Sequence, residues 1–166
     1  MKAKLMLVAC LLFLIFTGCT AKSEEKASDV VTAFYASYQG DFRTADKGLL
    51  TQELSGLIAK AIAKEKFTAY EKEKDSLGND KALMIDGDIF TGSGKGEDSF
   101  KIIDIQAKGS KATVTIEFTN VNDNTIWKDE MLLVKEKKWK IDNVLFKGEK
   151  GNGNNTKSVL TRFINS

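Results

Sequence analysis

The stretch MIDGDIFTGSGKGEDSF, residues 84–100, is the densest set of groups in the chain with the means to do chemistry. Asp86, Asp88, Glu97 and Asp98 supply carboxylates, Ser93 a hydroxyl and Lys95 an amine, and the interleaved glycines let the backbone curl. Carboxylate oxygens gathered this way suit a hard cation such as calcium. The alternation of ligands that a calcium loop needs nevertheless stops at Asp88, where Ile89, Phe90 and Thr91 follow. A phosphate-cradling loop requires its lysine to be followed by serine or threonine, and Lys95 is followed by Gly96. A glycosidase pair requires two carboxyls about 5–9 Å apart in a cleft, one of them with its pKa raised by burial. Asp86 and Asp88 share a direction if the chain there is extended, but acids two residues apart equally cap turns. Asp86 and Asp88 are thus the candidate ligand-binding residues, set against the plainer reading of a glycine-rich connection whose aspartates close turns. Ser93 with Lys95 makes a weaker nucleophile and base.

The rest of the inventory removes whole classes of mechanism. The 166 residues contain no histidine and two cysteines, Cys10 and Cys19, both near the N-terminus. Beyond Cys19 there is no thiol for a disulfide, a catalytic thiolate or a thiolate metal site, and Ser-His-Asp triads and most zinc sites are excluded with them. No metal, no cofactor and no catalytic residue is expected, and the chain reads as a non-enzyme. Two of the 25 lysine and arginine residues fall in the first eighteen positions, which leaves 23 basic against 23 acidic residues in the remainder. With no basic excess, nucleic acid is not expected as a partner.

Cys19 carries the clearest signal. Lys2 and Lys4 precede an apolar run from Leu5 to Phe16, and Thr17-Gly18-Cys19 ends it before the polar TAKSEEKA. Twelve apolar residues fall short of the roughly twenty that span about 30 Å of hydrocarbon, but they suit the core of an export signal. Phe16-Thr17-Gly18-Cys19 resembles the lipobox of bacterial lipoproteins, with phenylalanine where leucine is usual. That resemblance implies that the Cys19 thiol takes a diacylglyceryl group, that residues 1–18 are removed, and that the new amino group is acylated. Two or three acyl chains hold a protein to a membrane durably where one does not. The expected arrangement is a signal peptide over 1–18, a lipidated tether over 19–27, and a single domain over 28–166 that faces the cell envelope. Thr20, which is not aspartate, implies release to the outer membrane, facing the periplasm, in a Gram-negative source.

The elements that must position any site follow from periodicity. Ser28 is a good N-cap for a helix bearing Val31, Phe34, Tyr35 and Tyr38, which Gly40 stops. Leu54, Leu57, Ile58, Ala61 and Ile62 make one face of a second helix that opens after Thr51 and either runs on, or breaks and restarts, through Phe67 and Tyr70. The lysines and glutamates from Lys64 to Asp75 read as a solvated face. After Gly78 the period changes to two. KATVTIEFT alternates with Ala112, Val114, Ile116 and Phe118 on one side, as a half-buried antiparallel strand does. NVNDN turns into a strand over 126–136, and a turn near Lys137 leads into WKIDNVLF. In that last strand Trp139 and Ile141 have one parity and Val144 and Phe146 the other, which predicts a bulge near Asp142-Asn143. FKIIDIQ, residues 100–106, is an earlier strand with apolar residues on both parities, and Val159, Leu160, Phe163 and Ile164 close the chain as a short helix. The sum is an α+β domain, with N-terminal helices packed on one face of a curved antiparallel sheet of about four strands.

The succession VVTAFYASY, LTQELSGLI, DGDIFTG, ATVTIEF, LLVKEKKWKIDNVLF and SVLTRFI resembles a family of small exported bacterial proteins of unknown function, many of them lipoproteins. The resemblance implies a cystatin-like or nuclear-transport-factor-like fold. It also implies a second function, since some relatives are immunity proteins that neutralise toxins delivered by type VI secretion. The primary expectation is a membrane-anchored envelope lipoprotein with a non-catalytic binding domain. Its alternatives are an immunity or inhibitor protein that binds a toxin or a cell-wall hydrolase, and a carboxylate-dependent hydrolase. Its partners would be the membrane, through the lipid, and a protein of the envelope. The concavity between sheet and helices holds either a small apolar ligand or a core filled by Phe34, Tyr38, Phe118 and Trp139.

Overall fold

The computed structural model describes residues 26–74, 84–85, 87–93, 96–148 and 154–166. Cys19 and Asp86 lie outside them. Three helices, α1 (26–37), α2 (Gln52–Lys74) and α3 (Thr156–Asn165), accompany four strands, β1 (Ser99–Lys108), β2 (Lys111–Asn120), β3 (Thr125–Lys135) and β4 (Trp139–Phe146). The strands form one antiparallel meander in the order β1-β2-β3-β4. This is the α+β layout expected from the switch in period.

Helix α1 buries Val31, Phe34 and Tyr35 in the core, and Tyr38 follows beside them. The helix already includes residues 26 and 27, and Ala27 is fully buried. Ser28 therefore lies inside the helix and is not its cap, and the folded region reaches at least two residues further back than the sequence suggested. Phe34 stacks on Tyr38 with centroids 5.0 Å apart and leans on Phe90 at 4.8 Å, while Tyr35 meets Phe118 of β2 edge-on at 5.3 Å. Each such ring contributes about 1.5–3 kcal/mol relative to leaving it in water. The concavity is consequently filled. Phe34, Phe118 and Trp139 are at most 3% exposed and Tyr38 is 9% exposed, so the four rings proposed as filler are indeed core.

Helix α2 starts where Thr51 caps it, with the Leu54 amide donating to Thr51 Oγ1 at 3.3 Å, and its buried face of Leu54, Ile58 and Ala61 matches the expected stripe. The charged stretch that follows is not uniformly solvated. Glu65 is buried and accepts two hydrogen bonds from Arg43, from Nε at 2.8 Å and Nη2 at 2.7 Å, and a third from the Ile85 amide at 3.1 Å. Position 65 falls on the Leu54-Ile58-Ala61 side of the helix, and the paired guanidinium allows a charge to sit there.

The sheet carries two bulges. In β4 the register shifts between the pairs Leu132↔Asn143 and Leu133↔Ile141, leaving Asp142 as the extra residue. That is the change of parity foreseen, and it turns both Ile141 and Val144 inward. In β1 the shift falls between Ile102 and Asp104, so Ile103 is extra and 39% exposed. This resolves the apolar residues on both parities of that strand. The outer side of β4 is covered by chain: the Thr51 amide donates to Ile141 O at 2.8 Å, and the Phe146 amide to Asn154 O at 3.1 Å. Asn155 then opens α3 with a capping box, exchanging hydrogen bonds with Ser158, so that α3 packs against α2 and β4 with Leu160 buried.

A candidate binding cleft beside buried carboxylates

Within the segment 87–93, residues 89–91 are drawn into the core. Ile89, Phe90 and Thr91 are at most 2% exposed, so their carbonyls must find donors inside the protein. Each does so from a different element. Thr156 Oγ1 of α3 donates to Ile89 O at 2.7 Å, Tyr35 OH of α1 to Phe90 O at 2.7 Å, and Trp127 Nε1 of β3 to Thr91 O at 2.6 Å. The Asp88 amide closes the loop on Ser93 O at 3.1 Å.

Asp88, one of the two candidate ligand-binding residues, belongs to this clamp. Its Oδ1 accepts from Tyr38 OH at 2.6 Å and from the Phe90 amide at 2.7 Å, which makes it the cap of the turn that follows. Burial raises its pKa above the ordinary aspartate value, against the pull of those hydrogen bonds. Burial and the nearby Asp88 also hold Tyr35 and Tyr38 firmly protonated, so both serve as donors. Of the two readings offered for the loop, turn capping is the one that Asp88 fulfils. Asp86 lies outside the described residues.

Two further carboxylates gather near it. Asp129 of β3 is fully buried and pairs across the ladder with Ile116, and its Oδ1 accepts the Lys147 amide at 2.8 Å. Burial, opposed by hydrogen bonds and reinforced by the charge of Asp88, brings its pKa to about 6. Glu97 is half-buried, and burial followed by the charge of Asp88 brings it to about 7. Gly92 makes this packing feasible. Its φ is +59°, and a Cβ there would come within 3.0 Å of both Asp129 Oδ2 and the Phe146 ring. Asp98, the fourth acid of the stretch, turns away and accepts the Val121 amide at 2.6 Å. Among the described residues no three acidic side chains are grouped so as to hold a metal ion.

Outside this cluster lies an open cleft of about 820 Å³, bounded by Gly92-Ser93, by the β2–β3 hairpin and by Lys147-Gly148. Trp127 forms its wall, stacked on its cross-strand partner Phe118 at 5.4 Å. Asn124 and Lys128 bring amide and ammonium groups to the rim, while the Asn120 side-chain amide is taken up inside by Gly96 O and the Asp123 amide. Val121 and Ile126 stand 71% and 67% exposed at the hairpin end. Asn124, at φ +50°, occupies the left-handed turn position that asparagine tolerates better than most residues. The cleft thus presents an indole wall, the exposed Ile126 side chain and hydrogen-bonding groups at its rim.

Sequence reading found Asp88, but it passed over Asp129. A signal existed, because Asp129 shares the parity of Met131 and Leu133 and so must face inward with them. Comparison of the chain with family models, with curated proteins and with solved structures finds no match.

Proposed function

We propose that this chain is a lipid-anchored lipoprotein of the cell envelope whose domain binds another protein through the cleft beside the β2–β3 hairpin, without transforming a substrate. The observation that carries this reading is the contrast between the two concavities. The one between sheet and helices is filled by aromatic core, whereas the one at the hairpin is open and lined by exposed Ile126, with Val121 exposed on the same hairpin. The anchor rests on Thr17-Gly18-Cys19 at the end of a short apolar run. Among the described residues no helix is long and apolar enough to cross a membrane. The partner expected from the resemblance is a toxin, and the other protein partner considered is a cell-wall hydrolase held inactive in the envelope.

The test has two arms. Radiolabelled palmitate should enter the wild-type protein in a lipoprotein-processing host and be absent from Cys19→Ala; label retained by that variant sinks the anchor. Detergent-solubilised protein with a C-terminal tag should retain one stable envelope protein, and Val121→Glu with Ile126→Glu should abolish that capture while leaving the melting temperature within a few degrees. Capture that is indifferent to both substitutions places the interface elsewhere.

A second reading, carboxylate-dependent hydrolysis, draws on Glu97, whose pKa near 7 suits a general acid at neutral pH. Turnover of a cell-wall glycan that is lost in Glu97→Gln would establish it in place of the first.

A further inference from the structure

The outward face of α2 is unusual for a helix on the surface of a domain. Charged and polar side chains normally occupy that side. Here Ala59, Ala63, Phe67 and Tyr70 fall together, all exposed, with Phe67 at 63% and Tyr70 at 61%. At 100° per residue they cluster opposite Leu54, Ile58 and Ala61, so this stripe is a second apolar face and not a continuation of the core face. Exposed Lys60 and Lys66 flank it on either side, and the acidic Glu71 comes only at its far end. Aromatic rings between lysines along a helix that lies flat are the composition of an interfacial contact, with the rings at the headgroup level and the ammonium groups among lipid phosphates.

We propose that this face of α2 rests on the anionic headgroup surface of the membrane that holds the chain. The inference builds on the Cys19 anchor proposed above. Six residues, 20–25, separate that cysteine from the described start of α1, and six residues fully extended reach at most about 20 Å. The domain therefore stays within a short distance of the bilayer, and contact between its surface and the lipid becomes an intramolecular event at high effective concentration. Two aromatic side chains and two lysines, too few to recruit a protein from solution, are enough to orient one already tethered. Lipid is the occupant favoured over a protein because the lipid surface is within reach by construction, and because Lys60 and Lys66 bracket the apolar stripe on both sides, against acidic Glu71 at its far end and Glu53 a turn and a half before it.

The thiol inventory makes the test clean. In the processed lipoprotein Cys10 is removed with the signal and Cys19 is acylated, so Ala63→Cys would be the one free thiol. The full lipidated protein, labelled there with a solvent-sensitive fluorophore, would be reconstituted into vesicles of phosphatidylcholine with or without phosphatidylglycerol. In the anionic vesicles its emission should shift to the blue and be quenched by lipids brominated on their acyl chains. The same fluorophore at Ser110→Cys, in the exposed β1–β2 turn, should show neither effect. Phe67→Ala with Tyr70→Ala, and separately Lys60→Glu with Lys66→Glu, should return the Ala63→Cys label to the emission of the Ser110→Cys label. A protein that floats with the vesicles while the label at position 63 stays fully aqueous overturns the proposal and leaves the anchor standing. A protein that fails to float defeats the anchor, and the proposal falls with it. A blue shift that appears only after envelope protein is added also overturns it, because the face would then belong to a protein partner.

Discussion

Arg43→Ala should lower the stability of the domain by about 3 kcal/mol, with the melting temperature falling by roughly 10 °C. The guanidinium makes two hydrogen bonds to Glu65 and one, from Nη1 at 2.8 Å, to Asp41, and it lies over the Phe42 ring at 4.6 Å. Truncation would leave the Glu65 carboxylate, whose side chain is only 8% exposed, with the Ile85 amide as its remaining partner among the described residues. The cost is that of a buried charge stripped of its counter-charge, which is larger than the net worth of the pair itself. Replacing both members, Arg43→Met with Glu65→Gln, should therefore recover most of the loss, since glutamine still accepts from Ile85 and brings no charge. Chemical denaturation of the two variants measures the difference. A single variant as stable as the wild type, or a double variant no better than the single, would falsify this account of Glu65.

The domain should be more stable at pH 5 than at pH 8, and Asp129→Asn should remove much of the difference. Asp129 near 6 and Glu97 near 7 both titrate above their ordinary values, chiefly because burial disfavours the charged form, and Asp88 is raised in the same sense. For a carboxylate raised in the folded state, the native protein binds the proton more tightly than the unfolded chain does. That contribution is fully present below the ordinary carboxylate range and is lost as pH rises through the folded value. The window here runs from about pH 4 to pH 7, and the buried Asp129 alone should account for on the order of 2 kcal/mol across it. Asparagine keeps an acceptor for the Lys147 amide and carries no charge at any pH. Asp129→Asn should accordingly raise the melting temperature at pH 8 and flatten its dependence between pH 5 and 8. A wild-type melting temperature that climbs over that interval would contradict the assignment.

Much of the fold was legible because its signals are local. The alternation of Ala112, Val114, Ile116 and Phe118 placed β2 and its inward face, and the change of parity between Ile141 and Val144 placed the bulge at Asp142. The site was less legible for a physical reason. Asp88 could be recognised as a turn-capping residue, but the donors that draw its loop inward, Tyr35, Trp127 and Thr156, lie 36 to 67 residues away in the chain. Glu65 hid in a run of charged residues because the partner that permits its burial, Arg43, comes 22 residues earlier. The cleft is bounded by segments near positions 92, 124 and 147, and no single stretch of sequence carries a pattern for a surface made of three.

The two margins of the sheet are finished differently. Along β4 the chain itself supplies the next set of hydrogen bonds, through Thr51 and Asn154. The margin at β1 has no such cover among the described strands, and there the finish is chemical and geometric: Lys101, Asp104 and Lys108 are exposed along it, and the extra residue Ile103 breaks its regular line of donors and acceptors. An open margin of this kind is a template on which another chain can build. For proteins confined to a surface, neighbours meet repeatedly and in restricted orientations, so the hazard is lateral polymerisation within the plane of the membrane. For copies held to one membrane by the anchor proposed above, the kink at Ile103 would interrupt the pairing that fuses sheets edge to edge.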